Sequence, residues 1–334
     1  MVESVFDRFW DEEGNKFGKA DGDQNTYTTG TIGDHNVVLA HMPGMGGSNA
    51  ATVAAGLRSS YRGIEVAIIV GICGVIPIHH LTKEEILLGD CIISTAVVQY
   101  DFGRQYPNQF IRKNAIEDSL GQASVEVKSL TSMLMTRRNR GRLQKSLAHH
   151  LGMLQENRSD VKYPGTDRDC LFHPSYVHQH RQNPTNCSAC MNDSRVCSRD
   201  CQSIGCERDH LVKRRRLQAQ QLSTSETNIS LPMIHFGRFG SGNTVMKSGL
   251  DRDRIAEEEQ LIAFEMEGSG VLNSFPTIVV KSACDYADSH KSKEWQPYAA
   301  ATAAAGLKAI LERWEVIDSP SKQGKFESFF LYIY

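Results

Sequence analysis

The chain has 334 residues with 37 Lys+Arg against 39 Asp+Glu and a net charge of −2, so bulk electrostatics give no reason to expect a nucleic-acid or anionic-membrane partner. At 40% hydrophobic and 23% charged residues it has the make-up of an ordinary globule, and no run nears the roughly 20 apolar residues of a membrane helix. The first residues, MVESVFDRFWDEEGNK, lack the apolar centre of a secretory signal, and nine cysteines is an odd count for a disulfide framework; a cytoplasmic protein is expected.

Residues 27–32 and 36–41 flank Gly33-Asp34-His35 and predict a hairpin. Residues 48–60 carry Ala and Leu at helical spacing, with Ser48 placed to cap the helix. EVAIIVGI (65–72) is the unbroken apolar run of a strand covered on both faces, and CIISTAVVQYDF, from Cys91, predicts another strand. Leu and Met at three- and four-residue intervals predict helices over 119–135 and 142–154. Residues 155–230 are rich in His, Cys, Asn and Pro and read as a loop-dominated insertion. Strand and glycine texture resumes in PMIHFGRFGSGNTVM, IAFEMEGSGVL and TIVVKSACDYAD, and residues 295–316 predict an Ala-rich helix suited to close packing on a sheet. The tail, 317–334, ends in an apolar cluster, FFLYIY, that fits poorly in water and is expected to dock on the domain or to belong to a longer sequence. The pattern as a whole predicts an α/β fold: one domain over 1–316, interrupted at 155–230.

Ligands of open α/β sheets bind beyond the carboxyl ends of the strands, where four glycine-rich or polar segments fall: 42–52, 71–77, 241–247 with 264–270, and 282–291. In Gly44-Met45-Gly46-Gly47-Ser48-Asn49 the backbone can approach a ligand closely, or can make only a tight strand-to-helix turn; neither GK[ST] nor GxGxxG is present. Glu265, Met266 and Glu267 follow a strand directly. A carboxylate there can accept from vicinal hydroxyls while the Met supplies an apolar wall, or the acidic turn can simply complement a helix dipole. Asp285, where a buried strand reaches solvent, is a candidate general acid, and Asp288 a candidate helix cap.

SGNTVMKSGLDRDRIA, FEMEGSG and SACDYADSHKSKEWQPYAAATAAA, in this order, resemble the purine and uridine phosphorylase superfamily, which includes the methylthioadenosine/S-adenosylhomocysteine nucleosidases. The resemblance, over roughly residues 17–316, is closest to the fungal nucleoside-phosphorylase-like domains that precede NACHT, NB-ARC and ankyrin modules. It implies a three-layer αβα sandwich with a mixed central sheet, here carrying the Cys/His-rich insertion read above, and cleavage of a purine N-glycosidic bond without a cofactor. It also implies a homo-oligomer acting on a small adenine nucleoside or nucleotide, with no membrane or nucleic-acid partner. Position by position it makes Glu267 the ribose-hydroxyl carboxylate beside Met266 and Asp285 the acid that protonates the leaving base. Val245 and Met246 fall at the adenine pocket, and Cys73 and Gly74 on the turn facing the nucleoside.

Three departures refine this. Ile69 and Ile72 stand where related phosphorylases hold phosphate with Arg and Ser, which favours water as the nucleophile and hydrolysis over phosphorolysis. The family opens with an inner strand and a Glu that positions water, whereas this sequence starts at Met1-Val2-Glu3 in what reads as the following helix, VESVFDRFW; the alternatives are Glu3 as substitute base or a nucleoside-binding, signalling module without turnover. Lys247, Arg252 and Arg254 place three cations beside the pocket, which a 5′-phosphorylated substrate such as ATP would use, or form a solvated helix start.

Within the insertion, Cys187, Cys190, Cys197, Cys201 and Cys206 lie near His173, His178, His180 and His210. The spacing matches no standard finger, so the expectation is reduced thiols without a metal, with Cys187, Cys190, Cys197 and Cys201 as the zinc candidates. The adjacent Lys213-Arg214-Arg215-Arg216 reads as a solvated charge run, or as a nuclear-import or nucleic-acid patch.

Overall fold

A computed structural model describes residues 1–14, 17–113, 124–181, 187, 197–222, 231–314 and 328–333. The apolar runs form the strands β1 (Arg8–Phe9), β2 (Tyr27–Ile32), β3 (His35–His41), β4 (Ile64–Val75), β5 (Cys91–Gln99), a small hairpin of β6 (Gly103–Tyr106) and β7 (Gln109–Arg112), then β8 (Ile234–Ser241), β9 (Leu261–Glu265), β10 (Thr277–Asp285) and β11 (Ser328–Ile333). Between them lie the helices α1 (Gly47–Ser60), α2 (Val125–Met135), α3 (Arg137–Asn157), α4 (Cys201–Ile204), α5 (Arg215–Leu222), α6 (Gly249–Glu259), α7 (Gly268–Val271) and α8 (Gln296–Leu311).

The main sheet runs β1-β2-β3-β11-β4-β10-β5-β8-β9 and is mixed: β4 is parallel to β10 and β11, and β10 is antiparallel to β5. The length of β4 decides the shape. Its body pairs with β10, but its end turns so that Gly74 and Val75 also pair with Phe264 and Ala263 of β9, and β4, β10, β5, β8 and β9 close on themselves. That closure draws the carboxyl ends of β4, β9 and β10 together. Helix α8 lies against β4 and β10 with α3 packed on it, while α1 and α7 pack together, which completes the αβα layering. The small side chains of α8 suit this: Ala301, Ala303, Ala304 and Ala305 are all fully buried.

Several expectations need correction. VESVFDRFW is not a helix: Val2–Val5 makes a single 3₁₀ turn, and Arg8–Phe9 then joins the sheet edge beside β2. Gly30 admits it, since a Cβ at that position would stand on the carbonyl oxygen of Arg8. Gly46, at φ +101°, caps α1 in place of Ser48, which sits inside the first turn. The described part of the 119–135 helix starts after Ser124, whose hydroxyl accepts from the Val127 amide at 3.2 Å; residues 114–123 lie outside the described set. The second helix is longer than its apolar stripe, covering Arg137–Asn157. The apolar tail does not merely dock: its backbone enters the sheet as β11, parallel to both β3 and β4.

The basic run is solvated only in part: Lys213 and Arg215 are exposed, whereas Arg214 and Arg216 are committed to the fold. Arg214 is 4% exposed and donates to the Tyr286 hydroxyl at 2.8 Å and to the carbonyls of Ile86 and Pro77 at 2.6 and 3.0 Å. Arg216 donates to the buried carboxylate of Asp90, which His235 also contacts at 3.0 Å. Burial acts to raise the Asp90 carboxyl, but His235 and Arg216 outweigh it and hold it down at about 2. Asp169 completes the bracing, accepting from the Tyr286 hydroxyl at 2.6 Å and the Leu88 amide at 3.0 Å. The insertion is therefore clamped to the sheet by charges whose partners lie 72 to 137 residues away, which no local pattern reveals.

Candidate active site

At the end of β10 the register slips between Ala283 and Asp285, which turns Asp285 to face Gly74 of β4. Only glycine fits there, because a Cβ on Gly74 would lie 2.8 Å from Asp285 Oδ1. The Asp285 carboxylate is 12% exposed, accepts from the Ala287 amide at 2.8 Å, and pairs with Lys291 Nζ at 2.9 Å. Asp288, two turns of loop further on, accepts from the His290 amide at 2.8 Å; it closes a turn and does not cap a helix.

On the opposite side of Gly74, β9 delivers Glu265, Met266 and Glu267. The Glu265 carboxylate accepts from the amides of Glu267 and Gly268, each at 3.0 Å, and so satisfies the exposed start of α7. Burial, then the neighbouring Glu267 charge, pushes the Glu265 carboxyl up. Its oxygens are occupied by backbone, which makes it a positioning residue for Glu267. Glu267 accepts from Lys281 Nζ at 3.0 Å and from the Gly46 amide at 3.3 Å. Burial acts to raise its carboxyl, but the Lys281 ammonium outweighs this and the net shift is downward. Lys281, completely buried within β10, moves the other way: burial would lower it, and Glu267 and Glu265 together hold it up. Glu267 is thus kept as a carboxylate in a nearly closed site.

The remaining predicted residues divide. Gly46 of the glycine loop reaches Glu267, and the Gly47 amide donates to Asn243 Oδ1 at 3.1 Å, joining 42–47 to 241–247; Gly44 makes the turn before them. Cys73 is 3% exposed, its thiol pushed well up by burial, and it feels Lys281, Asp285 and Glu265, which places it under the site. Met246 is buried while Val245 is 43% exposed beside it, and Met266 is partly buried. Ile69 is packed in the core and Ile72 is half-buried against it, so neither position offers an anion a donor. Glu3 stands on the β2–β3 hairpin, accepting from Thr28 Oγ1 at 2.8 Å.

The three cations are not assembled as expected. Arg252 is fully buried and donates to the Tyr286 carbonyl at 2.8 Å and to Asp253 at 2.7 Å. Arg254 is exposed and paired with Asp251 and Glu258 along α6, the solvated helix face. Lys247 alone is exposed beside the pocket segment without such a commitment. Lys281 and Lys291 were missed. The first had a legible signal, since a single Lys inside VVKSAC requires a buried counter-charge.

The zinc candidates are also redistributed: Cys201 joins Cys206 and His178, Cys187 joins Cys197 and His180, and Cys190 lies outside the described residues.

Residues 8–149 match the model of the phosphorylase superfamily. That stretch is similar to the superfamily over somewhat less than half of the chain. The fold is similar to that of solved nucleosidases: the structure of methylthioadenosine/S-adenosylhomocysteine nucleosidase from Streptococcus pneumoniae in complex with 8-aminoadenine superposes with a TM-score of 0.52 at 15% identity, over 93% of this chain and 92% of that one. The corresponding nucleosidase of Helicobacter pylori gives 0.51 at 14% identity, over 93% and 92%. A nucleotide-binding leucine-rich repeat (NLR)-like protein of Hyaloscypha variabilis is 30% identical over 297 residues, 86% of this chain. The chain spans 26% of the length of that relative. Among the described residues no helix is long and apolar enough to cross a membrane.

Proposed function

We propose that this protein is a member of the phosphorylase superfamily and an N-glycoside hydrolase that releases the base, adenine, from a purine nucleoside. The observation that carries the reading is the position of Gly74, paired at once with Asp285 on β10 and Phe264 on β9. Two inter-strand steps of about 4.8 Å separate the backbones of Asp285 and Phe264 by about 10 Å across Gly74, which supports a nucleoside held between Asp285 and the Glu265-Met266-Glu267 turn. Glu267, kept ionised by Lys281, accepts from the ribose hydroxyls, while Asp285 protonates the departing base. Their action is complementary, because positive charge grows on the sugar as electron density moves to the purine. The apolar Ile69 and Ile72 favour water over phosphate as nucleophile.

Adenine release from adenosine, methylthioadenosine, AMP and ATP, followed by chromatography with and without added phosphate, tests the reading. Release of free ribose product at a rate indifferent to phosphate is expected. A rate that requires phosphate and yields ribose 1-phosphate would make it a phosphorylase, and retained binding without release would make it a nucleoside-binding module.

A second reading, an adenine nucleotide as substrate, rests on Lys247 as the exposed cation of the three. If it holds, Lys247→Glu raises KM for ATP at least tenfold while that for adenosine stays within about twofold, in line with a charge-assisted contact of about 1.5–3 kcal/mol. Equal, small changes for both substrates would favour the uncharged nucleoside, which the commitments of Arg252 and Arg254 already do. As the relative is several times longer, a partner module of the NACHT, NB-ARC or ankyrin kind and homo-oligomer formation are proposed with it.

A further inference from the structure

The insertion and the loop after Asp285 meet at a cluster of thiols and imidazoles that the proposed reaction does not use. Donor atoms of His178, Cys206 and His290 lie within 4.8 Å of one another. Cys206 Sγ is 3.5 Å and Cys201 Sγ 3.6 Å from the same nitrogen, His178 Nδ1. Metal–sulfur bonds of about 2.3 Å and metal–nitrogen bonds of about 2.0 Å at the tetrahedral angle set sulfur and nitrogen about 3.5 Å apart. The observed spacing is that of two edges of such a tetrahedron.

Local structure presents the ligands. Asp200 caps α4 by accepting from the Ser203 amide at 2.9 Å, and Gly205, at φ +77°, reverses the chain so that the Cys206 amide returns to the Cys201 carbonyl at 2.9 Å. A C-x₄-C segment that is irregular in sequence thereby brings both thiols to one side. His178 is fixed in the required tautomer: Nε2 lies 2.9 Å from the Arg199 carbonyl, which can only accept, so Nε2 carries the proton and Nδ1 keeps its lone pair towards the sulfurs. His290 supplies the independent observation. Its side chain is 2% exposed, neither ring nitrogen has a hydrogen-bond partner although Nδ1 faces Asp288 Oδ1 at 3.9 Å, and its ring is held by stacking on Phe172 at 4.1 Å. A buried imidazole whose nitrogens make no hydrogen bond is costly unless something takes up a nitrogen.

We infer that His178, Cys201, Cys206 and His290 form a structural zinc site that ties the insertion to the loop following the candidate acid. Two sulfurs and two imidazoles in a closed tetrahedron select zinc over harder cations. The site has a mechanical consequence: His290 adjoins Lys291, whose ammonium pairs with Asp285 at 2.9 Å, and the His178 amide donates to Ser289 Oγ at 2.9 Å on the same loop. The metal would hold that loop, and with it Lys291, in register with β10. The assignment is independent of whether Asp285 acts as an acid. His180, Cys187 and Cys197, with the two sulfurs 3.8 Å apart, are a separate group of the same chemistry. The informative quantity is therefore the zinc lost on substitution, and not the total.

Elemental analysis of the full chain, purified without chelator, is expected to find zinc, with one equivalent fewer in His290→Ala and in Cys206→Ser. Circular dichroism establishes that each variant is folded. Should a variant not fold, cobalt(II) exchange into Cys197→Ser, which disables the separate group, keeps the test open, since a Cys₂His₂ tetrahedron gives intense visible d–d bands and a sulfur-to-cobalt charge-transfer band. Zinc at background with no such bands, zinc content unchanged in folded His290→Ala, or a Cys201–Cys206 disulfide in the non-reduced mass spectrum would each overturn the assignment.

Discussion

Asp285→Asn is expected to lower kcat for adenine release by about 10²–10⁴-fold, the usual contribution of a positioned general acid, while KM moves much less. The amide keeps the volume of the carboxyl and can still face the Ala287 amide and Gly74, so the pocket persists; what is lost is the proton delivered to the base. The prediction is sharp because a substrate whose base leaves without protonation should escape it. A nitrophenyl riboside, whose leaving group is already a weak base, is expected to be cleaved by the variant at a rate within about tenfold of wild type, given the same Brønsted reasoning. Equal loss on both substrates would move Asp285 from proton donor to binding group, and full activity on adenosine would remove it from the mechanism.

Lys281→Met is expected to be the most destabilising single change in the site. It leaves Glu267 buried without its counter-charge, a situation that costs about 3–5 kcal/mol at neutral pH. The pH dependence separates this from simple cavity formation. In the wild type Glu267 has a depressed folded-state pKa, so its contribution is present above the unfolded carboxyl value and is lost as pH falls through the folded one. Without Lys281 burial is opposed only by backbone amides such as that of Gly46, the folded pKa is expected to rise above the unfolded value, and the sign inverts: the variant recovers stability on acidification and loses it as pH climbs. Urea unfolding of both proteins across pH 4.5–8 measures the difference. A gap that is constant over this range would mean that Glu267 is paired by some other cation.

The parts of this molecule that were legible in advance share one property: their determinants are local. The hairpin of residues 27–41 follows from two apolar stretches around Gly33-Asp34, and β4 and β10 from unbroken apolar runs. Glu267 and Asp285 are found because they end such runs. What escaped depends on distant partners. Arg214 reads as one more charge in a basic loop until Tyr286 and Ile86 are placed against it. The thiols of the insertion look irregularly spaced because a fourth ligand, His290, comes from beyond β10. Arg252 reads as a phosphate ligand because its position beside the pocket is visible in sequence and its capture by the Tyr286 carbonyl is not.

The placement of β11 bears on how the protein assembles. The β1–β3 meander and the strands from β4 onward are adjacent only through it, with Ser328 paired to Asn36 on one side and Ile64 on the other. Few contacts in a sheet can be further apart along a chain, and closing so long a loop is slow. Until it closes, two parallel-accepting edges face each other across an open slot, each a template for a strand from another molecule.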